Sequence, residues 1–160
     1  MPGKNKEPLI IVDADAIIAL SNRDDTNYEK ARTILASLTA LHASTLFPTT
    51  ALCEAVTVLK GRLNKPDEAY TIIEKLHNDR FPLQEVTGGT LKNAATLLTP
   101  GTSKKNTLFD AVVATLAHHL EADAIFSFDA WYEKQGFPLA SSLLPTAPPQ
   151  EEPEDGQEAA

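Results

Sequence analysis

A chain of 160 residues with a single cysteine, Cys53, is long enough for one domain with its own core and has no internal disulfide to hold it. No apolar run approaches the roughly 18 residues a membrane helix needs, and residues 1–8 lack the apolar core of a secretory signal, so a protein of the reducing cytoplasm with no membrane contact is expected. The net charge of -8 weighs against a nucleic-acid partner, but residues 151–160 hold five of the 22 acids and no base, and without them 17 acids face 14 bases, a net charge of -3.

Leu9-Ile10-Ile11-Val12 is a run of large apolar residues that reads as a strand buried on both faces, as in the middle of a parallel sheet. It stops at Asp13, a carboxylate costly to bury unpaired, which is therefore expected at a crevice on the carboxyl edge of the sheet. Residues 14–20 continue as a short apolar helix, and a second helix carries Tyr28, Ala31, Ile34, Leu35, Leu38 and Leu41 at spacings of three and four. Residues 45–47 form a weaker strand candidate. A third helix follows with Leu52, Ala55, Val56, Leu59 and Leu63 along one face, and Cys53 is read as core. Pro66 opens a fourth helix with Ala69, Ile72, Ile73 and Leu76 inward, and residues 81–86 read as a strand.

Gly88-Gly89 starts a fifth helix bearing Leu91, Ala94, Ala95 and Leu98, and residues 100–106 form a polar loop. The strongest periodicity follows in Phe109, Val112, Val113, Leu116, Ala117 and Leu120. Residues 124–128 read as a strand ending at Asp129, a short segment holds Trp131 and Tyr132, and residues 137–140 as a last strand. Strands alternating with helices predict a three-layer α/β/α domain, with a mostly parallel central sheet, over residues 9–144. Residues 1–8 form a flexible start, and residues 145–160, rich in proline, glutamate, glutamine and alanine, an acidic disordered tail.

Four acids stand out. Asp13 and Asp129 each end an apolar strand, while Glu54 and Asp110 sit at the border of apolar helical stripes. Each also has a purely local reading: Asp13 or Asp15 caps the next helix, Asp129 starts a turn, Glu54 is a border residue, and Thr107 with Asp110 fits a capping box. Gathered in one metal site, the acids would leave the outer surface near neutral or locally basic.

Ile11-Val12-Asp13 before an apolar helix, Leu52-Cys53-Glu54-Ala55, Leu108-Phe109-Asp110-Ala111, and Ile125-Phe126-Ser127-Phe128-Asp129 before Trp131-Tyr132 occur in this order. With these motifs the chain resembles the PIN-domain ribonucleases over about residues 9–140, and among them the toxins of VapBC-type toxin–antitoxin pairs. The resemblance implies a PIN-like fold and an acidic metal site of Asp13, Glu54, Asp110 and Asp129. Ser127 stands where the family often has a small hydroxyl residue. Asp15 departs from the Ser, Thr or Asn that many members carry there, and is either a fifth carboxylate or a cap.

Mg²⁺ or Mn²⁺ suits such oxygen ligands and would assist in-line hydrolysis of RNA, with Asp13 and Asp110 closest and Glu54 and Asp129 binding a second ion or orienting water. The resemblance further implies a cognate antitoxin protein and a homodimer. Lys60, Arg62 and Lys65 after the Glu54 helix, and Lys104 and Lys105 before the Asp110 helix, are candidate RNA contacts, and equally ordinary solvated lysines and arginine. Two other readings compete: a haloacid-dehalogenase-type phosphatase using Asp13 of Asp13-Ala14-Asp15 as nucleophile, and a non-catalytic RNA- or protein-binding module of the same fold.

Overall fold

The computed structural model describes residues 6–145, so most of the expected start and tail lies outside the described residues. Strand β1 (Leu9–Val12) leads into helices α1 (Ala14–Ser21) and α2 (Tyr28–Ala40), then β2 (Ser44–Pro48). Helix α3 (Thr49–Thr57) runs into a π-helical turn (Val58–Arg62), and α4 (Pro66–His77) leads to β3 (Leu83–Gln84). Helices α5 (Gly88–Ala95) and α6 (Leu108–His119) precede β4 (Ala124–Phe126), one-turn α7 (Trp131–Lys134) and a 3-10 turn (Ala140–Leu143).

The sheet is fully parallel with the order β3-β2-β1-β4. The apolar run of β1 is buried because it lies in the middle, paired with β2 from Leu9 opposite Ser44 and with β4 from Ile10 opposite Ala124. Alternation along the strands divides the core. Ile10, Val12, Ala124 and Phe126 pack with Ile17, Ile34, Leu52 and Ile72 from α1 to α4. Ile11 and Ile125 pack on the other side with Val113 and Ala117 of α6 and with Tyr132. The expected three layers are present. The chain steps outward from β1 to β2 and β3, then returns to the far side of β1 for β4. That reversal makes the carboxyl ends of β1 and β4 the switch point of the sheet, the place where open α/β sheets bind ligands.

Several local expectations are corrected. The strand expected over residues 81–86 is only Leu83–Gln84, an edge pairing with Phe47 and Pro48 alone. The strand expected through Phe128 stops at Phe126, which frees Ser127 and Asp129 to turn into the crevice loop. Residues 137–140 contribute a single bridge, Leu139 to Ile125, before the 3-10 turn. Cys53 is exposed rather than core. Ile73, Leu76, Leu91 and Phe109 are also exposed despite their place in apolar stripes, because strands of two to five residues cover only a narrow band of each helix. Among the described residues no helix is long and apolar enough to cross a membrane.

Candidate active site

The backbone of β1 and β4 brings the first acids together. Asp13 N donates to Phe126 O at 3.0 Å, which sets the end of β1 beside Ser127. Asp13 is buried, and as N-cap of α1 its Oδ1 accepts from Ala14 N at 2.7 Å. Its Oδ2 lies 3.1 Å from Ser127 Oγ and accepts from the Tyr132 hydroxyl at 2.9 Å. In the first turn of α1, Asp15 Oδ2 accepts from Phe128 N at 2.8 Å and lies 2.9 Å from Ser127 Oγ. A serine has one hydroxyl proton, so Ser127 serves one of these two carboxylates at a time. Asp15 Oδ1 is buried and has no hydrogen-bond partner.

Asp110 enters from α6. Its Oδ2 accepts from Thr107 N at 2.5 Å and from Thr107 Oγ1 at 3.1 Å, so the capping box is real and leaves the other oxygen outside it. Asp129 does start a turn: Oδ1 accepts from Trp131 N at 2.8 Å, and Oδ2 from the Asn106 amide at 3.0 Å. Glu54 stands half-buried on α3, where Asp110 and Asp15 are the charges that act on it.

The acids sense each other. Burial, then the charges of Asp15 and Asp110, hold the Asp13 carboxyl well above the ordinary range, against the hydrogen bonds from Tyr132 and Ala14. Burial pushes Asp15 up to about 6, against its bonds to Phe128 and Ser127. Burial, then Asp110 and Asp15, push Glu54 up to about 7. Asp110 is raised by burial, opposed by the Thr107 hydrogen bonds, with Asp129 adding to the rise. Burial and then Asp13 raise the Tyr132 phenol, which keeps it a donor.

Among the described residues no three Asp, Glu, His or Cys side chains stand close enough together to hold an ion unaided. Repulsion between carboxylates opposes such an approach. The donor set nevertheless suits a hard cation: it is all oxygen, and the buried Asp15 Oδ1 lacks a partner.

The basic candidates are scattered. Lys60 and Arg62 are exposed on the π-helical turn after α3. Lys65 pairs with Asp24, beyond the far end of α1 from Asp13, and lies 3.9 Å from Glu68. Lys104 and Lys105 are exposed on the loop before α6, and Lys105 lines a cavity of about 450 Å³ that also touches Asp129. Sequence reasoning missed Asn106 and gave Tyr132 no role. Tyr132 carried a signal, since an amphipathic side chain three residues after a strand-end Asp can bury its ring and aim its hydroxyl at the strand end. Asn106, in a polar loop, carried none.

An open parallel sheet with carboxylates drawn to its switch point defines the class, a three-layer α/β/α protein with an acidic crevice. Residues 10–137 match the PIN domain family, and the chain belongs to it. The fold is similar to that of VapC20 of Mycobacterium tuberculosis, a sarcin-ricin loop cleaving toxin, at a TM-score of 0.69 and 19% identity, over 80% of this chain and 95% of that one. Among curated proteins none matches the chain.

Proposed function

We propose that this PIN-domain protein is a divalent-metal-dependent endoribonuclease, the toxin of a toxin–antitoxin pair. The observation that carries the reading is the convergence of Asp13, Asp15, Glu54, Asp110 and Asp129 on each other's electrostatic fields, with Asp15 Oδ1 buried and unpartnered. Asp13 and Asp110 are the nearest ligands for Mg²⁺ or Mn²⁺, Asp15 joins them through its free oxygen, and Glu54 and Asp129 complete the set. Such an ion, when bound, supplies charge neutralisation at the scissile phosphate and acidifies a water for attack.

The chain's own residues do the rest. Tyr132 and Ser127 fix the orientation of Asp13, Thr107 fixes Asp110, and Asn106 fixes Asp129. Glu54, without a cap or turn to serve, orients the attacking water and accepts its proton. Lys60, Arg62, Lys104 and Lys105 are the proposed RNA contacts, whereas the Lys65 ammonium is already engaged by Asp24. An antitoxin protein and a second copy of the chain are the proposed partners, and VapC20, itself a toxin, has this fold.

The phosphatase alternative fares worse. No Thr or Gly-Thr follows Asp15 and no adjacent Asp-Asp pair stands late in the body, as that chemistry would want, and the chain belongs to the PIN domain family instead. Incubating mixed single-stranded RNA with the purified chain tests the proposal. Cleavage that requires added Mg²⁺ or Mn²⁺ and stops with chelator is expected. A phosphoaspartate at Asp13 would instead establish the phosphatase, and RNA binding without cleavage under any divalent ion would leave a binding module.

A further inference from the structure

We propose that the cavity between the 99–106 loop and α7 is a nucleotide pocket, holding one unpaired base of a single-stranded RNA beside the phosphodiester to be cut. The inference rests on the ribonuclease reading and adds to it the recognition of a flanking nucleotide. The cavity, about 450 Å³, falls within the ~300–1,000 Å³ typical of small-ligand sites, so a base with its sugar fits. Asp129 and Asn106, which are hydrogen-bonded to each other, line it, and Asp129 acts on Asp110 and Asp15, so the cavity borders the acidic cluster at that residue.

The wall chemistry is that of a nucleotide. Trp131 lines the cavity half-buried and braced edge-on against Tyr132, with ring centroids 5.4 Å apart at 67°, so packing fixes its position. A braced indole is a stacking platform for any base. Lys105 from the loop and Lys134 from α7 line the same space with exposed side chains, and among the described residues that line it Asp129 is the one other charged residue. Two lysines beside an indole suit a phosphate adjoining a stacked base. Thr99 offers a hydroxyl to base edges. A base inside a duplex is already stacked and unavailable, so the pocket selects unpaired nucleotides.

Trp131 is the single tryptophan, which makes its fluorescence a direct report on the pocket. The full chain is titrated, in chelator to prevent cleavage, with an end-labelled single-stranded RNA of about ten nucleotides, a length spanning typical single-strand sites, and with the same RNA as a duplex. Label anisotropy records binding at the same time. Saturable quenching of Trp131 by the single strand, and much less by the duplex, is expected. Lys105→Ala and Lys134→Ala should each weaken binding and lower the salt slope by about one phosphate contact. Trp131→Ala should weaken binding roughly tenfold or more, and Trp131→Phe should restore most of it, because stacking contributes about 1–3 kcal/mol per base. Should Trp131→Ala fail to fold, the lysine variants and the wild-type quenching still decide. RNA that binds by anisotropy without quenching and without dependence on either lysine overturns the pocket and leaves the ribonuclease reading intact. Absence of binding by both readouts also overturns it. Quenching by RNA together with no cleavage under any divalent ion supports the pocket and defeats the ribonuclease reading.

Discussion

Asp13 is held by three protein donors because it both caps α1 and lies buried at the carboxyl end of β1, where an unpaired carboxylate would be costly. Its neighbours make that possible at a cost in charge. Burial raises Asp15 to about 6 and Glu54 to about 7, so the folded chain retains protons that the unfolded chain has already released. The stabilising contribution of these two acids is therefore fully present below the ordinary carboxylate pKa near 4 and is lost as pH rises through about 6 to 7. In chelator, the melting temperature of the wild type should fall over that window relative to the Asp15→Asn and Glu54→Gln variants. Parallel profiles for all three proteins would show that burial does not raise these two acids. Tyr132→Phe keeps the buried ring and removes one donor to Asp13, which should destabilise the chain by about 1–3 kcal/mol in urea unfolding. An unchanged midpoint and slope would mean that the hydroxyl is not holding the carboxylate.

At the level of elements, the α6 capping box joins fold to site, since the same Thr107–Asp110 contacts that start the helix also aim the acid. Thr107→Ala should lower stability by about 1 kcal/mol and slow RNA cleavage by about 10-fold, with Thr107→Ser close to wild type in both. A stability loss with an unchanged cleavage rate would make the cap structural alone. The box was legible in the sequence because capping is local, four residues long and fixed in spacing. So were β1, whose continuous apolar run reads as a strand buried on both faces, and the buried stripe Val112, Val113, Leu116 and Ala117 of α6. The end of β4 was not legible: Phe128 looks like strand, yet its backbone N–H is taken by Asp15, a residue 113 positions away. Exposed Ile73 and Leu76 were misplaced for a similar reason, because periodicity reports an apolar face and not how much sheet is available to cover it.

For the whole molecule, the decisive feature is the sheet order. Placing β4 on the opposite side of β1 from β2 sets the switch point at Asp13 and brings Ser127 and Asp129 to it, while α3 and α6 deliver Glu54 and Asp110 from the flanking layers. Four acids separated by 41, 56 and 19 positions come within each other's electrostatic reach because each lies on, or just past the end of, an element whose place the parallel topology fixes. On the proposed reading the net charge of -8 is a poor guide to partners, since part of it is drawn to the carboxyl ends of β1 and β4, where a bound cation would offset it. The most direct test of this account is the rate of RNA cleavage in Mn²⁺ by wild type, Asp13→Asn and Asp110→Asn, with folding of each checked by circular dichroism. Cleavage by the wild type and a loss of about 100-fold or more in either folded variant are expected. Equal cleavage by all three proteins, or none by the wild type on structured and single-stranded RNA alike, would contradict it.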